Sequence, residues 1–188
     1  MTALCLAAAA AAAQLSPCAT GATWRPVATE TDRQRLRQWR PAWLQAQDEM
    51  RAKGKATVVG DALFDLDHAL DRPSPPPGAY RCRFVKLGGA AGLVERPWGR
   101  CRLDAAGFAG LDGPQRPAGQ FYPDGPGRAV FLGTLQFGDE ARPLRYGRDD
   151  GRDMAGYVER IGDARWRIVL PRPQFESTLD LLELTPAQ

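Results

Sequence analysis

The chain of 188 residues is 44% apolar and 25% charged, so it can bury a core, and its length suits one domain with a small appendage. Its 16 prolines and 20 glycines call for many turns and exclude a helical bundle. The formal net charge is +3, an excess supplied by residues 32–53 alone, and no basic stripe interleaved with aromatics follows, so no nucleic-acid partner is expected.

Residues 3–15, ALCLAAAAAAAQL, form an uncharged apolar run too short for a stable membrane span. Thr20-x-Ala22 is a small-residue cleavage pattern, so residues 1–22 are predicted to be a secretory signal peptide, although nothing before Arg25 is positively charged. Leu15-Ser16-Pro17-Cys18 resembles a bacterial lipobox, making a lipid anchor at Cys18 the alternative, with Pro17 a departure from that pattern. Either route predicts a periplasmic or secreted protein with no transmembrane segment in the mature chain.

Residues 23–77 read as a helical prelude ending in a proline-rich connector. Leu36, Trp39, Trp43 and Met50 fall on one helical stripe, a packing face, with Thr29 or Thr31 as N-cap and Gly54 as a stop. Pro41 cannot donate to Arg37, which predicts a kink or two short helices with Pro41 near the start of the second. Asp61 to Leu70 reads as a short helical or turn element, and Arg72-Pro73-Ser74-Pro75-Pro76-Pro77-Gly78 as a stiff extended connector.

From residue 78 to 188 the period becomes two. Tyr80, Cys82 and Phe84 alternate with Arg81, Arg83 and Val85, and Cys101 and Leu103 with Arg100 and Arg102. Runs at Phe131–Phe137, Met154–Glu159 and Arg165–Leu170 repeat the pattern, and Leu179, Leu181 and Glu183 close the chain. Gly88-Gly89, Asp112-Gly113, Asp124-Gly125 and Gly162-Asp163 supply turns between them. The predicted fold is mainly β: an antiparallel β-barrel or sandwich, each strand with one core face and one solvated face.

Cys82 and Cys101 occupy apolar-facing positions on neighbouring strands, and in an oxidising compartment they can bridge. His68 is the only histidine and serines are scarce, which disfavours a nucleophilic triad and a zinc site, and no glycine-rich phosphate loop follows a strand and opens a helix, so no catalytic residue, metal or cofactor is assigned. Asp139-Glu140, Asp149-Asp150, Asp153 and Glu159 could in principle do acid–base work, but no pair is singled out. The densest polar stretch runs from Arg145 to Arg160, with Gln115-Arg116-Pro117 a second polar knot in a separate turn. Candidate ligand- or partner-binding residues are Gln115, Arg116, Tyr146, Arg148, Asp149, Arg152, Glu159 and Arg160; the competing reading is a set of arginine–carboxylate pairs holding loops at a barrel rim.

Gly78-Ala79-Tyr80-Arg81-Cys82-Arg83, Phe131-Leu132-Gly133, Tyr146-Gly147-Arg148-Asp149, Arg152-Asp153-Met154-Ala155-Gly156 and Leu170-Pro171-Arg172-Pro173 belong to one set of motifs. Together they resemble a proteobacterial family of secreted proteins known only as a domain of unknown function, from about the first helix to the C-terminus. The resemblance implies a small exported protein and carries over no activity or site residues. At fold level alone, a disulfide-bearing barrel is similar to lipocalin-like binders and to periplasmic inhibitors of hydrolases. The expected role is binding of a small amphipathic ligand or an envelope component; the alternatives are a protein–protein module such as a hydrolase inhibitor and, third, a carboxylate-based enzyme. A hollow interior would favour the ligand binder, and one filled by Phe84, Phe131, Phe137 and Trp166 a surface role.

Overall fold

The structure is a computed structural model that describes residues 23–138 and 140–187. The segment predicted to be a signal peptide, residues 1–22, and the lipid-anchor candidate Cys18 lie outside the described residues. Among the described residues no helix is long and apolar enough to cross a membrane.

The chain enters helix α1 (Glu30–Arg37) through Thr29, whose side chain accepts a hydrogen bond from the Asp32 N–H at 3.2 Å. A single joint residue, Gln38, separates it from α2 (Trp39–Ala52). Pro41 is the third residue of α2, in the first turn, where an N–H would find no acceptor within the helix. The prolyl break thus becomes two helices. Leu36, Trp43 and Met50 are buried and Trp39 half-buried, so the stripe packs. The segment from Asp61 to Leu70 contains one 3-10 turn, Ala62–Phe64, capped by the Asp61 carboxylate.

Nine strands follow: β1 (Gly78–Gly88), β2 (Gly92–Glu95), β3 (Gly99–Asp104), β4 (Gly107–Gly110), β5 (Gln115–Pro123), β6 (Ala129–Phe137), β7 (Asp153–Gly162), β8 (Arg165–Pro171) and β9 (Leu179–Pro186). Strands β3 to β9 pair in sequence order, β3 pairs β1, and β9 returns to β1 from Tyr80↔Pro186 to Leu87↔Leu179. The result is a closed eight-stranded antiparallel barrel in which each strand pairs with a neighbour on both sides. Strand β2 folds back on Val85–Gly88 of β1, along the same edge that β3 takes at Gly78–Cys82.

Even-numbered residues of β1 and β9 point inward. Tyr80, Phe108, Phe131, Trp166, Ile168 and Leu184 are buried in one lumenal cluster with half-buried Phe121. Here rings meet at centroid distances of 5.6–6.0 Å among Phe108, Phe121 and Phe131 and at 6.0 Å between Tyr80 and Trp166. This filled half is called the upper end. Gly119 and Gly133 face each other across β5 and β6, and a Cβ on either would come within 2.7 Å or 2.5 Å of the Phe131 ring, so the ring fits only because both are glycine.

The outside of the barrel differs from the expected alternation. Val85, Leu87, Val169, Leu179 and Leu181 are buried beneath α2 and the 3-10 turn, and Val130, Leu132 and Ala155 beneath Trp24 and α1. Strands β6 to β9 are therefore covered on both faces over much of their length. Leu179 and Leu181 lie on the outer face; Asp180, Leu182 and Leu184 are the alternate residues of β9, with Leu182 and Leu184 in the lumenal cluster. Gln115, Arg116 and Pro117, expected in a turn, are instead the first residues of β5. Cys82 and Cys101 form a disulfide between β1 and β3 with Cα atoms 6.0 Å apart, on the lumenal side.

Candidate functional site

Unequal strand lengths make a window in the barrel wall. Strand β1 has 11 residues and β5 nine, whereas β3 has six and β4 four. The β3–β4 hairpin covers only the upper part of the gap between β1 and β5, ending at Gly99 and Gly110. Below it lies a cavity of about 570 Å³. Its apolar lining includes Cys82, Phe84, Pro117, Phe137 and Leu182, with Trp98 at the rim. Polar groups are confined to a few positions: Arg83, Arg96, Asp112, Gln115 and Glu176. The volume falls within the range of small-molecule pockets, and the pattern of an apolar body with few polar groups is typical of them.

The rim charges are held in pairs. Arg83 bridges Glu183 at 2.8 Å and Glu95 at 2.5 Å, and the guanidinium groups of Arg81 and Arg83 lie 5.1 and 4.8 Å from the Trp98 ring centroid. Arg100 grips Asp112 through its side chain and backbone N–H, which holds that carboxyl down at about 2. Arg96 pairs with Glu176 at 3.3 Å. Beside the cavity, Lys86 sits 3.1 Å from Asp180 and 3.6 Å from Glu176. Burial pushes the Asp180 carboxyl up, opposed by Lys86 and by the Ser177 hydroxyl.

The floor of the lower end is nearly closed. Phe84, Lys86, Gln115, Leu135, Met154 and Asp180 surround a remaining space of about 30 Å³, enough for about one water. The loop of residues 172–178 between β8 and β9, together with Gly151 and Arg152 of the β6–β7 connection and Asp153 at the start of β7, completes that floor. Phe175 from the loop meets Phe137 at 5.9 Å, and Gln174 donates to the Asp150 carbonyl at 2.8 Å.

The model of a family described as Domain of unknown function (DUF4893) matches residues 24–184. The chain belongs to this family. No curated protein and no solved structure matches it.

In this DUF4893 chain the eight candidate residues do not converge on one site. Gln115 lines both the cavity and its floor, and Arg152 lines the floor, 4.8 Å over the Phe137 ring and paired with Glu140 and Asp149. Arg116 is turned outward and donates to the carbonyls of Gly113, Gly138 and Glu140, fastening two loops. Asp149 accepts from the Gly151 N–H and from Arg152, and Arg148 is exposed. Tyr146 donates to buried Asp32 at 2.6 Å and accepts from the Thr29 N–H at 3.0 Å, tying the β6–β7 connection to α1; burial, then Asp32, raises its phenol.

The other two residues lie elsewhere. Glu159 is fully buried on the outer wall between Arg167 and Arg128, at 2.7 and 2.6 Å. Arg167, also fully buried, donates to the carbonyls of Ala62, Leu63, Asp65 and His68 and lies 4.8 Å over Trp43. This ion triad therefore pins the prelude to the barrel. Arg160 donates to the Asp71 carbonyl and holds the connector. Strand β7 separates these two from the loop cluster: six residues at about 3.3 Å each put Glu159 about 20 Å from Asp153. Among the described residues no three His, Cys, Asp or Glu side chains gather to hold a metal.

Residues the sequence reading missed include Arg83, Arg96, Trp98 and Glu176. None sits in a dense polar run, and the strand periodicity alone carries no sign that these side chains meet at one window.

Proposed function

We propose that this chain is an exported binding protein whose barrel accepts a small amphipathic ligand in its hollow lower end. The observation that carries this reading is the cavity of about 570 Å³, apolar within and bordered by Arg83, Arg96, Gln115 and Glu176. An apolar tail would lie against Phe84, Phe137 and Leu182 while its polar end stays at the window. The Cys82–Cys101 bond fits an oxidising compartment such as the periplasm or the exterior. Of the arginines expected to face a partner protein, Arg116, Arg152 and Arg160 are tied to carbonyls or carboxylates of the protein's own loops and connector, so the cavity is favoured over a docking surface.

The test is titration with a neutral apolar fluorophore, N-phenyl-1-naphthylamine, against the native chain and Gln115→Trp. The indole would occupy the cavity from the start of β5. Saturable enhancement in the native chain that is lost in Gln115→Trp is expected. Equal enhancement in both proteins, or none in the native chain, contradicts the proposal.

A further inference from the structure

The 172–178 loop is built as a flap. Its base is pinched by the Arg172 N–H donating to the Thr178 carbonyl at 3.0 Å. Both ends are fastened to the helices: Arg172 donates to Gln38 and Gln45 at 3.1 Å each, and Thr178 to Glu49 at 2.5 Å. Between those anchors lies the tip, where Gln174 donates to the Asp150 carbonyl, Phe175 meets Phe137 and the Ser177 N–H donates to the Phe175 carbonyl at 2.9 Å. Arg172 and Glu176, neither a glycine, have φ of 47° and 69°. Two such residues within five are a local cost retained by the surrounding contacts.

Glu176 is the residue that matters. Its side chain is 53% exposed, yet its carboxylate lies between half-exposed Arg96 and buried Lys86. Lys86 has a second carboxylate in Asp180, whereas Glu176 is the one ion-pair partner of Arg96 among the described residues. A carboxylate from the protein's own chain thus occupies a cation pair at the border of an apolar cavity.

We infer that the cavity's ligand is an amphipathic anion whose acid group takes the place of the Glu176 carboxylate between Arg96 and Lys86 as the tip of the flap lifts. The inference rests on the binding reading above and names its ligand class. Exchange of one carboxylate for another keeps the local charge constant, and the displaced Glu176 is returned to water. A neutral head group would leave Arg96 without its counter-charge once the tip moves, and a cationic one would meet Arg83, Arg96 and Lys86. The apolar length of the ligand would fill the space bounded by Phe84, Phe137 and Leu182.

Calorimetric titration of the full chain with decanoate, decanol and decylammonium tests this. Decanoate is expected to bind about tenfold more tightly than decanol, the scale of one hydrogen bond to a charged group, with decylammonium weakest. Glu176→Gln removes the internal competitor and should tighten decanoate about three- to tenfold. Arg96→Gln should abolish the preference for the acid without abolishing decanol binding. If acid and alcohol bind equally in the native chain, or Glu176→Gln leaves decanoate unaffected, the head-group inference is overturned while the cavity reading stands. If none of the three compounds binds and the neutral fluorophore fails as well, both are overturned.

Discussion

The two ends of one lumen are built from the same strands and differ in what fills them. At the upper end, Tyr80, Phe108, Phe121, Phe131 and Trp166 meet ring against ring, with Gly119 and Gly133 cut back to admit Phe131. At the lower end, Phe84, Phe137 and Leu182 face about 570 Å³ of open space below the short β3–β4 hairpin. The filled half supplies the stability that lets the other half stay hollow, because apolar area left unburied contributes nothing to folding. A packed end and a hollow end thus coexist in one small barrel.

That contrast can be broken by truncation. Phe131→Ala, at a fully buried ring, should destabilise the fold by about 3–5 kcal/mol in urea denaturation. Phe84→Ala, at a half-buried ring bordering the cavity, should cost about 1 kcal/mol. Equal losses at the two positions would mean that the lower half is packed too. A comparable loss, about 3–5 kcal/mol, is expected for Arg167→Ala, which leaves buried Glu159 with Arg128 as its single ion-pair partner among the described residues and takes the donor from the Ala62, Leu63, Asp65 and His68 carbonyls. Opening the disulfide with Cys82→Ser and Cys101→Ser should cost about 3 kcal/mol in the chain-entropy picture, since it staples the hairpin on which the window depends.

The smallest expected effect concerns pH. Burial raises the Asp61 carboxyl, but hydrogen bonds from Arg165 and the Leu63 N–H outweigh it and leave the group below its ordinary value. A carboxyl lowered in the fold adds stability above its unfolded pKa and loses it as pH falls through its folded value. Asp61→Asn should therefore cost about 1 kcal/mol at neutral pH, and the gap from the native chain should shrink below about pH 4, read from thermal unfolding across pH.

Much of the barrel was legible because lumenal side chains of β1, β3 and β8 alternate with arginines. Closure was not, since it depends on β9 pairing with β1 across about 100 residues of chain. Strand β4, Gly107-Phe108-Ala109-Gly110, is too short to show a period. Pro117 made the start of β5 look like a turn; it lies beyond the last β4 pair, Ala109↔Ala118, where a missing donor is tolerated. The double burial of β9 hid its register, since Leu179, Leu181, Leu182 and Leu184 are all apolar whichever face they serve. The polar run at 145–160 disperses in space for a different reason. Neighbours along an extended strand move apart in space, so charge density in sequence became three separate structural ties. The cavity was illegible because it arises from a mismatch of strand lengths, not from any motif.

The most direct test of the hollow lower end is a crystal structure of the protein soaked with 10-bromodecanoate, located by anomalous scattering from bromine. The account predicts bromine among Phe84, Phe137 and Leu182, with the acid group beside Arg96 and none of the label among Phe108, Phe121 and Phe131. Bromine found only on the outer surface, with side chains filling the lower lumen, would contradict it.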